Sequence, residues 1–259
     1  MTGATVMKSL LFSRLSKVKP ENLESYSSTF LTIDIDWADD EVINDTINII
    51  ERSEVEATWF VTHPTKIIDR LRENPKFELG IHPNFNSLLD SDARNGGDIR
   101  IVIEKLLEIV PEAKSLRSHS LFTSTKLLQL MPEYGLTHES NLYMPISSCD
   151  GLKPFRIWND VVRIPHSFED DLFLLNSKRP DLAEHESISN HIKRYFTNNN
   201  GIRVLDFHPI HIFLNTENLD RYEGTREIHR NPGELVKHRY AGAGARAALE
   251  TLLGSGECA

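Results

Sequence analysis

The sequence predicts an α/β protein in a single domain spanning residues 1–259, with parallel strands arranged as an imperfect barrel. Short apolar segments rich in β-branched residues alternate with segments of helical periodicity. No linker, repeat or low-complexity tract divides the 259 residues, a length that is normal for one α/β barrel. Strands and helices that alternate in this way indicate parallel strands joined by right-handed crossovers.

The elements are predicted in order from hydrophobic periodicity and from cap and turn residues. Strands are expected at residues 31–37, 57–63, 77–82, 115–121, 136–144 and 202–214, with one or two short strands and an acidic loop in 155–171. Helices are expected at residues 42–54, 66–72, 98–110 and 123–131 and around 188–196. Residues 219–230 are expected to form a charged, exposed loop, and Pro232 suits the first residue of a closing helix that contains the Ala-rich stretch.

Composition excludes several classes of protein. The formal net charge of -9 argues against a nucleic-acid surface. Cys149 and Cys258 form no C-x-x-C pair, so a disulfide scaffold or a thiolate metal site is not expected. The three-residue apolar run before Arg14 is too short for a signal peptide, and no run reaches membrane-spanning length. A cytoplasmic protein with no membrane span is expected.

The first strand carries two acids near its end. In LTIDIDW, residues 31–37, side chains alternate between faces, which predicts that Asp34 and Asp36 share one face with Thr32. Two carboxylates on a buried strand need a cation, hydrogen bonds or open water, because an unpaired buried carboxylate is costly. Solvated acids at a strand end are the plainer interpretation, and the rest of the chain decides between the two.

Polar side chains collect at the ends of the other predicted strands as well. The carboxyl ends of the strands are where barrels of this kind hold their sites. The candidates at those ends are Asp34, Asp36, His63, His82, Arg117, His119, His138, Glu139, Asp206 and His208. Each histidine taken alone is more often a structural residue, but the concentration at one end of the fold indicates a site for metal binding and proton transfer.

Four short motifs, TIDID, GIHPNFN, LRSHS and VLDFH, follow one another between about Phe30 and Leu214. In this order they resemble the motifs of the polysaccharide deacetylases with NodB homology, carbohydrate esterase family 4. The resemblance is nearest to members that act in bacterial surface-polysaccharide pathways, including O-antigen biosynthesis. The resemblance implies a distorted, incomplete (β/α) barrel with about seven parallel strands. It also implies a divalent metal, zinc first and cobalt or nickel as alternatives.

The resemblance implies a role for each matching position. Asp34 matches the catalytic base, Asp36 the metal-binding aspartate and His82 the first histidine of a His-x-x-x-His metal motif. Arg117 matches the arginine that orients the base, and His208 matches the general acid. Asp170 and Asp171 match only loosely the acid that tunes the histidine.

The third metal ligand departs from the family pattern. Asn86 stands where the second histidine of the motif is expected, and an amide oxygen is a poorer zinc ligand than imidazole. His119 is favoured instead, because it is predicted to share a strand face with Arg117, nearer the strand's carboxyl end. Asn86 is then expected to contact substrate, as is Trp37, whose ring is suited to stacking on a sugar.

The leading hypothesis is a metal-dependent hydrolase that removes an N-acetyl group from an amino sugar in a small-molecule or glycolipid precursor of a surface polysaccharide. A deformylase or a cyclic-amide hydrolase using the same site is one alternative. A degenerate member that lost its metal with the second histidine and only binds a saccharide is another.

Overall fold

The structure, a computed structural model, describes residues 11–25, 27–88, 98–145, 151–176, 187–198 and 201–254. Both cysteines and residues 1–10 lie outside these ranges, so the expectations about a disulfide and an export signal stay predictions. Among the described residues, no helix is long and apolar enough to cross a membrane.

The strands and helices alternate through most of the chain, as the periodicity predicts. The strands are β1 (Thr29–Asp34), β2 (Ala57–Val61), β3 (Phe77–Ile81), β4 (Ser115–Leu116), β5 (His138–Glu139), β6 (Phe155–Arg156), β7 (Val162–Arg163), β8 (Phe168–Glu169) and β9 (Arg203–Phe207). The helices are α1 (Asp40–Arg52), α2 (Ile67–Glu73), α3 (Ile99–Ile109), α4 (Thr125–Glu133), α5 (Asp170–Asn176), α6 (Ile188–Asn198), α7 (Pro209–Leu214), α8 (Leu219–Gly224), α9 (Pro232–Leu235) and α10 (Ala245–Leu252).

The described strands form one sheet in the order β6-β7-β5-β4-β3-β2-β1-β9-β8. Its strand pairs are parallel except for the hairpin-like pair β6 and β7. Because β1 lies between β2 and β9, the first and last long strands are neighbours in the sheet. The carboxyl ends of these strands therefore meet at one edge, where the candidate residues lie.

One stretch of chain joins the two ends of this strand order. β7 bonds β5 and β8 bonds β9, yet only four residues separate β7 from β8. The N–H of Ile164 donates to the carbonyl of Glu139 at 2.8 Å, and the N–H of Ser167 donates to that of Val204 at 3.3 Å. If residues 162–169 are counted as one strand, the parallel strands of the described chain number seven. The sheet is a distorted α/β barrel, and the predicted fold class is confirmed.

The core lies between the sheet and the helices that cover it. Val42, Ile43, Ile47 and Ile50, the apolar stripe predicted for the first helix, are fully buried on α1. The side chain of Asp39 caps this helix by accepting from the N–H of Glu41 at 3.0 Å. Burial of that stripe holds α1 against the sheet and so fixes the position of the turn that precedes it.

Several predicted element boundaries are wrong. The predicted strand 202–214 ends at Phe207, and residues 209–214 are helix α7, which begins at Pro209. A proline has no N–H for a strand ladder but suits the first turn of a helix. The buried run that follows has no polar alternation, and such a run fits a buried strand or a buried helix equally well.

The shorter strands were also predicted too long. The predicted strand 115–121 stops at Leu116, and a short 3-10 turn begins at His119. β1 ends at Asp34 rather than at residue 37, and β5 covers only two of the nine residues predicted for it. Residues 155–171 hold β6, β7 and β8, and what was predicted as an acidic loop is the first turn of α5. The charged stretch 219–230 is helical over Leu219–Gly224, where Asn218 caps it.

Candidate active site

Asp34 and Arg117 form a buried ion pair inside the barrel. Asp34 is the last residue of β1, and Arg117 directly follows β4. The Arg117 side chain is 0% exposed, and its Nη1 lies 3.1 Å from Asp34 Oδ1. The same Nη1 bonds Asp206 of β9, which also accepts from the hydroxyl of Thr32 at 2.9 Å. Arg117 therefore ties the carboxyl ends of β1, β4 and β9 together.

Arg117 is also held on its far side. Its Nε donates to the carbonyl of Ser140 at 3.2 Å, and Nη2 donates to the hydroxyl of Ser140 at 3.1 Å. Burial by itself lowers the pKa of Arg117, but the charges of Asp206 and Asp34 outweigh it and raise that pKa above its ordinary value. Arg117 thus stays charged and keeps a fixed orientation toward Asp34.

Asp36 lies in a strained turn that follows β1. Asp36 and Trp37 have φ values of 38° and 54°, in the left-handed region that non-glycine residues rarely adopt. Such residues cost of order 1–3 kcal/mol each and persist where the surrounding structure over-determines them. The expectation that strand alternation aligns Asp34 with Asp36 is wrong, because β1 ends at Asp34 and the turn alone directs the carboxylate of Asp36.

The turn brings Asp36 next to two histidines from different strand ends. His82 follows β3, and its Nε2 lies 3.2 Å from Asp36 Oδ1. His119 begins the 3-10 turn after β4, and its Nδ1 lies 3.5 Å from the same oxygen. The other nitrogen of His82, Nδ1, lies 3.4 Å from Asp34 Oδ2. His82 is therefore placed between the two predicted acids.

This Asp–His–His cluster fits a divalent metal ion. Its three donor atoms lie within 4.8 Å of one another. Two ligands that bind a tetrahedral zinc ion at 2.0–2.1 Å lie about 3.4 Å apart, close to the 3.2 and 3.5 Å separations here. Asp36 Oδ1 is buried without a hydrogen-bond partner, an arrangement that is costly unless a cation satisfies the atom. One carboxylate and two imidazoles are also a usual zinc ligand set.

Asn86 and Trp37 lie next to this cluster but outside the cavity wall. The amide nitrogen of Asn86 donates to the hydroxyl of Ser120 at 3.2 Å. The Trp37 ring packs edge-on against His119, with 5.1 Å between ring centroids. Neither is among the described residues that line the cavity. Their predicted contact with substrate stays a prediction, and Asn86 does not join the Asp–His–His cluster.

His208 faces Asp36 from the opposite side of the barrel's carboxyl edge. It directly follows β9 as the N-terminal cap residue of α7. Its Nε2 lies 3.6 Å from Asp36 Oδ2. Its Nδ1 lies 2.6 Å from Asp170 Oδ1, and its backbone N–H donates to Asp170 Oδ2 at 3.0 Å. Since a carboxylate only accepts, Nδ1 carries the proton and Nε2 points toward the cavity.

Asp171 lies beside the free nitrogen of His208. Its Oδ2 is 3.8 Å from His208 Nε2, and its Oδ1 bonds Nε2 of His211. His211 is fully buried and is fixed in turn by the hydroxyl of Thr216, 3.1 Å from its Nδ1. His211 thus holds an acid of the site in position.

The pKa values of Asp36 and His208 are shifted in opposite directions. Burial favours the neutral form of Asp36, but the adjacent His119 and His82 outweigh it and hold the pKa of Asp36 well below its usual range. Burial disfavours the charged form of His208, but the charges of Asp171 and Asp170 outweigh it and raise the pKa of His208 well above its usual range. The site therefore pairs an ionised carboxylate with an imidazolium.

The remaining strand-end candidates have structural contacts. His138 opens β5, and its Nε2 bonds the carbonyl of Val18 at 2.8 Å. Glu139 is fully buried in an ion pair with Arg163. His63 is not among the described residues that line the cavity. The sequence predicts all three at the same edge of the barrel as the site residues. Their tertiary surroundings show that they do not belong to the site.

A cavity of about 490 Å³ opens over these groups, large enough for a saccharide unit. One part of its wall is polar and acidic, and the other is formed by leucines and a tyrosine. The lining residues outside the groups already described are Ser118, Ser120, Leu121, Glu169, Leu172, Leu175, Leu219, Tyr222 and Glu223. The sequence matched Asp170 only loosely and did not predict most of this wall. Asp170 directly follows β8, and a polar residue at the end of a strand is the same signal that pointed to the other candidates.

Comparisons with known proteins agree with this fold and show the family. The family model of WbmS-like polysaccharide deacetylases matches residues 31–226. The solved structure of a protein from Bordetella bronchiseptica, assigned as a polysaccharide deacetylase involved in O-antigen biosynthesis, is similar at 41% identity and a TM-score of 0.83. That match covers 95% of this chain and 98% of that one. No curated protein matches the chain significantly.

Two further solved structures share a more distant likeness. A family 4 carbohydrate esterase from Streptomyces lividans is 13% identical, with a TM-score of 0.45 over 90% of this chain and 91% of that one. A family 4 pseudoenzyme from Bacillus anthracis is 13% identical, with a TM-score of 0.41 over 81% of this chain and 62% of that one. At these scores the likeness carries no argument about function.

The family match and the 41%-identical structure give the class of this barrel as polysaccharide deacetylase. Within that class, the chain belongs to the WbmS-like polysaccharide deacetylase family. The family resemblance predicted from the four short motifs is confirmed.

Proposed function

We propose that this protein is a metal-dependent hydrolase that removes an N-acetyl group from an amino sugar in a precursor of a surface polysaccharide. One observation carries the proposal: two bonded pairs of side chains meet beside the Asp–His–His cluster. The first pair is the Asp34 carboxylate with Arg117, and the second is the His208 imidazole with Asp170. A carboxylate oxygen of Asp34 lies within 4.8 Å of a ring nitrogen of His208, and both residues line the same cavity.

Asp36, His82 and His119 would hold the metal ion, zinc by donor type, with cobalt or nickel as alternatives. When bound, such an ion polarises the acetyl carbonyl and lowers the pKa of water. Asn86 is not needed as a ligand in this proposal.

Asp34 acts as the general base. Its Oδ1 is bound to Arg117 and its Oδ2 faces His82, so the carboxylate is held with one oxygen directed to the metal-ligand side of the cavity. The Asp34 carboxylate can accept the proton of the attacking water, and the ion pair with Arg117 holds it in place to do so. Because Arg117 itself is fixed by Ser140, the base cannot swing away from that water.

His208 acts as the general acid. Its Nε2 is the nitrogen that faces the cavity, and the raised pKa of His208 keeps it protonated near neutral pH. An amine leaves a tetrahedral intermediate poorly unless it receives a proton, and His208 Nε2 can supply it. Asp170 fixes the ring through Nδ1, so the same nitrogen always faces the substrate.

The cavity and the relative both support a saccharide substrate. The cavity volume suits a saccharide unit, and Tyr222 with Leu172 offers an apolar wall for the face of a sugar ring. The similar Bordetella protein is assigned to O-antigen biosynthesis, which supports an amino sugar of a surface polysaccharide as the substrate.

Replacing the two acids of β1 and its following turn tests the proposal. Asp34→Asn should lower amine release from N-acetylated saccharides by ~10²–10⁴-fold while the metal content stays unchanged. Asp36→Asn should lose metal and activity together. Amine release is measured by a fluorescent amine assay on N-acetyl and N-formyl substrates, and metal content is measured by elemental analysis.

The outcomes separate the competing hypotheses. Loss of metal in Asp34→Asn would exchange the roles of the two acids. A wild-type protein that binds saccharide but takes up no zinc, cobalt or nickel would refute the hydrolase and favour the saccharide-binding protein. Preference for the N-formyl substrates would favour the deformylase.

A further inference from the structure

The side of Asp36 that faces away from His82 and His119 has the donors of another cation site. We propose that Asp36 Oδ2, His208 Nε2 and Asp171 Oδ2 form a second, weaker divalent-cation site, and that its occupation inhibits the enzyme by binding the nitrogen that donates the proton. The binding part stands independently, whereas the inhibitory part rests on the proposed function.

The distances support a shared ligand. Asp36 Oδ2 lies 3.6 Å from His208 Nε2, and that nitrogen lies 3.8 Å from Asp171 Oδ2. All three ligand atoms lie within 4.8 Å of one another. These separations are slightly longer than the 3.2 and 3.5 Å around Asp36 Oδ1, so a small contraction would bring the donors to a divalent ion. A carboxylate with one oxygen on each ion is the bridge that two-metal sites use, with ions ~3.5–4 Å apart.

The Nε2 atom of His208 faces this position, between Asp36 Oδ2 and Asp171 Oδ2. The His208 side chain is 5% exposed, and among the described residues its Nε2 makes no hydrogen bond. Its other nitrogen donates to Asp170, the arrangement in which a carboxylate fixes the tautomer and orientation of a metal-binding imidazole. The second ligand is equally supported, because Asp171 is held through Oδ1 by His211 and keeps Oδ2 free.

The local charge also favours a further cation. Asp170 and Asp171 begin α5 side by side, and within the described chain their ion pairs are with His208 and His211 rather than with a lysine or an arginine. An ion held by Asp36, His82 and His119 would leave those two carboxylates without a full counter-charge. Asp171 is 43% exposed at the cavity wall, so a cation can reach it from solvent.

The two sites differ in strength for a physical reason. An ion in the first site already neutralises the charge of Asp36, and it repels a second cation ~3.5–4 Å away. The second ion should therefore bind only after the first. Once bound there, it takes the place of the proton on His208 Nε2, and that proton is released to solvent. No nitrogen of the ring can then protonate the leaving amine, and turnover should fall.

Metal stoichiometry tests the site without reference to activity. Metal-depleted protein is titrated with Zn²⁺ in a calorimeter, and the complexes are counted by native mass spectrometry. The wild type should bind two ions, and Asp171→Asn should keep the first while binding the second at least ~10-fold more weakly. Glu223→Gln, a matched loss of a carboxylate in the same cavity, should still bind two, and Asp36→Asn should lose both. One ion in the wild type, or two undiminished ions in Asp171→Asn, would overturn the second site.

Inhibition is then measured on the same proteins. Zn²⁺ beyond one equivalent should lower the rate of amine release by the wild type. For each protein the rate is divided by its own rate at one equivalent of Zn²⁺. This relative rate should fall less in Asp171→Asn than in the wild type. A wild-type rate that stays unchanged when a second ion is bound would overturn the proposed inhibition. Two bound ions with no deacetylation at any Zn²⁺ level would support the second site and refute the proposed function. One bound ion with deacetylation would support the proposed function and refute the second site.

Discussion

The buried Arg117 is the residue whose loss should most disturb both the fold and the site. Arg117→Met keeps an unbranched apolar stem, shorter than that of arginine, and removes the charge and the hydrogen bonds to Asp34, Asp206 and Ser140. Asp34 and Asp206 then stand as buried carboxylates without a cation. Removing one partner of a buried ion pair costs about 3–5 kcal/mol, a large part of the ~5–15 kcal/mol that holds a domain folded.

The loss of unfolding free energy in Arg117→Met should depend on pH. Burial already raises the pKa of Asp206 well above its ordinary value, even though Arg117 opposes that rise. Without Arg117 the pKa of Asp206 in the folded protein should rise further above the ~3.9 of an unfolded aspartate. A group with a raised folded pKa favours folding fully below its unfolded pKa and loses that contribution as pH rises through the folded pKa. The destabilisation should therefore be larger at pH 8 than at pH 5.

Urea unfolding at both pH values measures the effect. Adding Asp206→Asn to Arg117→Met should recover ~1–3 kcal/mol, because a neutral amide needs no counter-charge and can keep the Thr32 hydrogen bond. The control is Arg72→Met, whose 41% exposed side chain pairs with Glu112 and should cost ~0–1 kcal/mol. A loss below ~1 kcal/mol for Arg117→Met, or a loss that is equal at both pH values, would refute the reasoning about the buried carboxylates.

Three further predictions concern histidines of the barrel edge and their partners. His119→Ala should weaken zinc binding by ~10–100-fold in calorimetry while Asn86→Ala leaves it within about twofold, and the reverse order would return the third ligand to Asn86. Asp170→Asn should lower kcat and shift the alkaline limb of the pH–rate profile to lower pH, since the general acid His208 loses a charge that raises its pKa; an unmoved limb would contradict this. Burial lowers the pKa of His138 below 6.5, so stability falls as pH drops through 6.5; His138→Gln should flatten that slope in urea unfolding, and an unchanged slope would exclude His138 as a source.

The chemistry of the site was readable from residue types at strand ends. Asp34, His82 and Arg117 each stand at or directly after the end of a short apolar run, and parallel strands direct such positions to one edge of the barrel. The roles carried over for these residues from the family stay predictions, but the structure brings their side chains together as expected. The fold class followed from the same alternation and is confirmed.

Which side chains of the candidate site meet depended on contacts that no local pattern contains. Only the turn after β1, with its left-handed residues, decides that Asp36 meets His82 and His119, because alternation along a strand stops where the strand ends. The partnership of Asp170 with His208 joins residues 38 positions apart, across the ends of β8 and β9.

Chain order and hydrophobic period therefore determined the barrel and the edge at which its polar residues gather, since both follow from local preferences for strand and helix. Tertiary packing decided which of those residues touch, because distances of 3–4 Å between side chains depend on strand register and turn geometry. It also turned the apolar run after Phe207 into a helix, since Pro209 has no N–H with which to extend the ladder.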